Sequence, residues 1–179
     1  LWRTGRDEAS IAVDPGRGSD DPGRREVLRD RWFFLILPVI LAAPFTVTGL
    51  FFHQVVVTQE KGWPLAVLAS AFFVYATTQV AASLAAGWAV DRWSARRLVR
   101  WFPIPMALGC GTLALGEHPA FAFVYLGLVG LTAGANGTIA GALWIELYGT
   151  RHAGAIRAMQ HAFMVGSTAL SPVLFGLTI

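Results

Sequence analysis

Hydrophobic and polar positions divide the chain into one polar stretch and five apolar runs. Residues 1–31 are rich in Gly, Pro, Asp and Arg, with turn-forming clusters at Asp14-Pro15-Gly16 and Asp21-Pro22-Gly23. So little apolar surface cannot offset the entropy of ordering, so this stretch is expected to be a flexible loop or linker, with room for a short helix near Arg24-Arg25-Glu26. Beyond it, Trp32–Thr58, Gly62–Val90, Trp101–Gly116, His118–Ile145 and Ala158–Ile179 contain no Asp, Glu, Lys or Arg. A helix needs ~20 apolar residues to cross the hydrocarbon core. Four runs exceed that length; the third falls short and is extended back to Leu98. The pattern predicts an all-α, polytopic transmembrane bundle over residues 32–179, with spans at about 32–58, 62–90, 98–116, 118–146 and 153–179. The longer runs imply tilt. Barrel strands would alternate in polarity over about ten residues, and these runs do not. Prolines at 38, 44, 103, 105 and 172 are expected to break or kink the runs. Membrane bundles tolerate such kinks because neighbouring groups satisfy the freed carbonyls.

Charge then sets an orientation. Of the 25 Lys, Arg, Asp and Glu residues, 14 lie in residues 1–31, where seven Arg balance seven acids. Arg24, Arg25, Arg29 and Arg31 precede the first run, Arg92, Arg96, Arg97 and Arg100 follow the second, and Arg151 and Arg157 fall between the fourth and fifth. The two intervening loops carry one basic residue, Lys61. By the positive-inside bias, residues 1–31 are expected to be cytoplasmic. The basic residues sit in short loops, so a pI near 9.6 does not indicate nucleic-acid binding. The single cysteine, Cys110, excludes a disulfide framework, and no metal-ligand spacing or cofactor motif occurs. GxxxxGK[ST], HExxH and GxSxG are all missing, against an ATP-driven pump or a common hydrolase. The chain starts at Leu1 and is still apolar at Ile179, so it is expected to be truncated at both ends, with a sixth span to follow.

The most specific chemistry lies at the end of the second run. Gly87-Trp-Ala-Val-Asp91-Arg92-Trp-Ser94-Ala-Arg96-Arg97 puts an acid at a helix exit beside three guanidiniums. Such a cluster can form charge-assisted pairs or face the positive end of another helix, and so hold two bundles in one state. Gly87 is a position for close helix approach. Glu146 and Arg151 are expected to add to this latch from the fourth run. Gly127, Gly130, Gly134, Gly137 and Gly141 step by three and four residues, which places all five on one helical face for tight packing or sliding. Polar groups inside the runs are substrate candidates: Thr48, His53, Gln54, Asn136 and His161. The two histidines stand out, because an intramembrane ionisable group is functional by default and histidine as a residue type changes charge near neutral pH.

The 87–97 run resembles the loop motif of major facilitator transporters, Gly-x-x-x-Asp-Arg/Lys-x-Gly-x-Arg-Arg, with Ser94 in place of the usual glycine. Residues 25–34 with Thr48-Gly49-Leu-Phe-Phe-His53-Gln54 resemble the start of helix seven in the monocarboxylate and oxalate/formate branch. Glu146-Leu-Tyr-Gly-Thr-Arg151 resembles the loop between helices ten and eleven. The resemblance implies five of the six helices of the C-terminal half, helices seven to eleven, working with a missing N-terminal half. It implies a secondary active transporter of the inner or plasma membrane, not an enzyme, that moves a small organic solute such as a monocarboxylate with protons or by exchange. A non-transporting sensor or assembly protein on the same scaffold is the alternative, and a membrane-embedded enzyme a more remote one.

Overall fold

A computed structural model describes residues 27–177. The helix start near Arg24, most of the expected linker and the last two residues lie outside the described residues. Within 27–177 all regular structure is helical. The helices are α1 (Arg31–Phe52), α2 (Gln54–Glu60), α3 (Leu65–Trp93), α4 (Ala95–Leu98), α5 (Ile104–Leu115), α6 (Phe121–Tyr148) and α7 (Ala153–Gly176). By length and composition α1, α3 and α6 can each cross a membrane. At 12 residues α5 is about 18 Å long, less than a hydrocarbon core. α7 is the least apolar of the long helices, with Gln160, His161, Ser167, Thr168 and Ser171 along it.

Local sequence explains the boundaries. Asp30 caps α1, its carboxylate accepting from the Trp32 N–H at 2.9 Å. Its second oxygen accepts from the Tyr148 hydroxyl at 2.8 Å, which ties the start of α1 to the end of α6. α1 runs through Pro38 and Pro44, and α7 through Pro172, so those prolines do not break their helices. Pro103 and Pro105 open α5, where a missing N–H costs nothing. The Met106 N–H just inside that opening donates to the buried Thr132 hydroxyl at 3.0 Å. The first run parts at His53, between α1 and α2.

α6 is the centre of the bundle. It packs most extensively on α3 and α5, while α1 packs chiefly on α7. One apolar cluster, built around Phe33, Leu143, Trp144 and Ile156, closes the Tyr148 end. A second, built around Ala71, Tyr125, Leu126 and Val129, fills the opposite end. At that opposite end Lys61 donates to the Gly116 carbonyl at 3.0 Å, a cation at the C-terminus of α5, and Trp63 donates to the Glu117 carbonyl at 2.7 Å. Large apolar side chains such as Phe73, Leu84 and Leu115 are more than 70% exposed on the bundle's outside. In water that surface would be a liability; against lipid it is ordinary.

The glycine face divides in two. A Cβ added at Gly127 would lie 3.3 Å from Val74, while one at Gly130 or Gly134 would strike α3 backbone at Tyr75 or Gln79. A Cβ at Gly137 would meet nothing within 4 Å, and one at Gly141 would reach Arg157. Three glycines therefore press α6 against α3; beyond Gly134 the two helices stay packed through Ala86, Ile139 and Leu143, while Gly137 and Gly141 border a cleft beside that seam.

Candidate functional site

The cleft has a volume of about 530 Å³ and three helical walls. α3 contributes Gly87, Val90 and Asp91, residues three and four apart on one face. α6 contributes Asn136, Gly137, Thr138, Gly141, Ala142 and Ile145. α7 contributes Arg157, Gln160, His161 and Met164, again on one face. Of the sequence-derived candidates it gathers Gly87, Asp91, Asn136, Gly137, Gly141 and His161. Gly87 has no neighbour where a Cβ would stand, so it opens the cleft wall and holds no described helix close.

Polar groups in the cleft are partly committed. The Gln160 carbonyl oxygen accepts from the Trp144 indole N–H at 2.7 Å, in a buried contact. His161 Nδ1 lies 2.8 Å from the Arg157 carbonyl oxygen, which can only accept, so Nδ1 carries the proton. The Asn136 Oδ1 atom is buried with no hydrogen-bond partner among the described residues. Arg157 was counted with the loop charges, although the predicted fifth span begins before it. It is the fifth residue of α7, and its Nη2 donates to the Gly141 carbonyl at 3.1 Å. A charge read as a loop marker hid it from sequence reasoning.

Thr48, His53 and Gln54 lie elsewhere, toward the Lys61 end. The Thr48 hydroxyl donates to the Pro44 carbonyl at 2.8 Å. His53 Nε2 donates to the Pro172 carbonyl at 2.8 Å, which ties the α1–α2 junction to α7. Gln54 is 6% exposed, and neither end of its amide has a partner among the described residues. It faces Trp63, Leu113 and Tyr125 around a cavity of about 10 Å³, room for one water.

The 87–97 motif forms a tight corner between α3 and α4. Ser94 holds it with φ 79°, a left-handed conformation that glycine adopts freely and serine does not. Its hydroxyl compensates: it donates to Glu146 Oε2 at 2.8 Å and accepts from the Arg96 N–H at 3.3 Å. Glu146 also accepts from the Ala95 N–H at 2.7 Å and the Arg96 N–H at 3.3 Å. The Arg96 guanidinium donates to the Glu146 backbone carbonyl at 2.6 Å. Glu146 thus meets the corner through backbone N–H groups and a hydroxyl, with the arginine bound to its main chain. Asp91, Arg92 and Arg97 are exposed and make no ion pair among the described residues. Arg151 lies in the turn after α6.

The described residues form an all-helical bundle with a polar cleft and a charged corner where a long helix ends. The profile of the Major Facilitator Superfamily matches residues 14–179. The chain belongs to that superfamily of integral membrane transporters. No curated relative and no solved structure gives a match.

Proposed function

We propose that this chain serves a secondary active transporter that moves a small organic solute, with a monocarboxylate as the first candidate, by alternating access in the inner or plasma membrane. The carrying observation is the cleft. Three helices face it with Asn136, Gln160, Arg157 and His161, polar groups that a bundle buried in lipid would otherwise keep paired. In this reading the chain supplies helices seven to eleven, and an N-terminal half closes the cleft from the other side. Residues 1–31 are cytoplasmic, and the solute leaves at the Tyr148 end.

The corner acts as the cytoplasmic latch. Glu146 clamps α4 onto α6, which fixes the direction in which Asp91, Arg92 and Arg97 face the other half. Gly87 keeps the wall open, and Arg151 extends the charged rim. His161 is the proton site for coupled transport. Its Nδ1 donates to the Arg157 carbonyl, which leaves Nε2 as the ring nitrogen without that tie, with Asp91 of α3 and Arg157 of α7 as the other ionisable groups on the cleft. His53, Gln54 and Thr48 serve helix packing instead.

Uptake into sealed proteoliposomes tests the reading. Labelled lactate, pyruvate and oxalate are offered with and without an inward proton gradient. Gradient-stimulated uptake that falls for His161→Ala is the expected result. Specific binding without uptake in folded protein would move the protein to a sensor role.

A further inference from the structure

The geometry points to Arg157 as the anion-binding residue of the cleft, taking the carboxylate of a small organic acid, with Gly141 as the cradle that positions it. This rests on the transporter reading and names the substrate chemistry at that site. Gly141 lies seven residues before the end of α6, so the guanidinium meets α6 about 10 Å inside the helix end. Arg157 is exposed, so its charge is open to whatever fills the cleft. Arg157 has no carboxylate partner among the described residues; its hydrogen bond goes to a backbone carbonyl. Most of its five N–H donors are therefore free for the cleft. Asp91, the other charged group there, sits two residues from the end of α3, at the rim.

The surroundings fit an acid better than a cation or an apolar solute. A Cβ at position 141 would stand 2.8 Å from Nη2, the far end of a flexible side chain, so alanine there would push the guanidinium off its place against α6 at little cost to the fold. Gln160 is 5% exposed and anchored through its carbonyl oxygen by Trp144, which leaves its NH₂ as a fixed donor on the same wall. The guanidinium fork matches a carboxylate bidentately. The orphan Asn136 Oδ1 wants a donor, and a hydroxyl on the same molecule supplies one. An organic cation would meet Arg157 head on. The volume of about 530 Å³ holds a small solute and the water around it.

The test titrates the purified full-length protein in phosphatidylcholine nanodiscs with lactate, pyruvate and oxalate, and with the neutral analogue lactamide. Intrinsic tryptophan fluorescence is the readout. Carboxylates should bind and lactamide should not. Arg157→Gln should weaken carboxylate binding by about tenfold or more, with Arg157→Lys, which keeps the charge and loses the fork, in between, and Gly141→Ala, which only shifts the guanidinium, should weaken it less than either. The lysine variant also guards against a folding defect. Equal binding by Arg157→Gln, equal binding of lactamide, or no binding of any carboxylate would overturn the assignment. Displacement of carboxylate by added phosphatidylglycerol would reassign the site to a lipid headgroup and also overturn it. Uptake of a neutral solute without carboxylate binding would remove the anion site and leave the transporter. Carboxylate binding through Arg157 without uptake would remove the transporter and leave the site.

Discussion

Replacing Gly134 with alanine should loosen the α3–α6 contact, while the same change at Gly137 should not. The new methyl at 134 would strike the Gln79 carbonyl oxygen, and would lie 2.8 Å from its carbon and 3.0 Å from its Cα. All three are backbone atoms and cannot rotate away, so one helix must shift. Overpacking of this kind costs about 1–3 kcal/mol, and a rigid obstacle puts it near the upper end. Alanine's better helix propensity returns up to ~1 kcal/mol. The net loss is then about 2 kcal/mol, or about 4–8 °C in Tm for a chain of this size class. At Gly137 no atom stands within 4 Å, so only the propensity gain operates and Tm should rise by about 2–4 °C. Thermal unfolding of the two purified variants, followed by tryptophan fluorescence, reads the contrast. A Gly134→Ala protein as stable as Gly137→Ala would refute the claim that these glycines divide between a packed seam and an open cleft.

Other outcomes follow from the corner and the second cavity. Ser94→Ala keeps the left-handed strain and loses both hydroxyl bonds, so it should cost more stability than Ser94→Gly, which loses the bonds but relieves the strain; the order of the two Tm values checks this. Glu146→Gln swaps an oxygen that accepts from N–H groups for an amide that repels them, and should lower stability by about 1–2 kcal/mol and slow transport, read by Tm and by uptake. Gln54→Leu removes a buried amide without partners at nearly constant volume, so Tm should hold or rise; a clear fall would mean that the amide holds a bound water or solute.

The helical class was plain in the sequence because stretches of twenty or more residues lack any charge, and few soluble helices can do that. The motif at 87–97 and its partner Glu146 were legible as a charged end. Their contact was not, because a carboxylate that binds backbone N–H groups leaves no complementary residue type to find. Ser94 in a glycine position was the visible clue to the strained corner. Periodicity put five glycines on one face, yet it could not say which of them meet α3 and which border the cleft. Depth was lost in the same way. His53 and His161 look alike as isolated ring nitrogens in apolar runs, but one bridges to Pro172 at the Lys61 end and the other lines the cleft. Arg157 was passed over although the predicted span over 153–179 includes it, because it was counted as an orientation-setting charge and sequence does not show a long side chain reaching across to Gly141.

The central claim is that the cleft between α3, α6 and α7 is a solute pathway open to water from the cytoplasmic side in this conformation. Thr138 lies on its wall. With Cys110 replaced by alanine and Thr138→Cys introduced into the full-length protein, a membrane-impermeant maleimide applied to the cytoplasmic face of sealed vesicles measures that access. The account predicts rapid labelling that slows when the transported carboxylate is present. No labelling of folded protein, or a rate indifferent to every solute the protein binds, would contradict it.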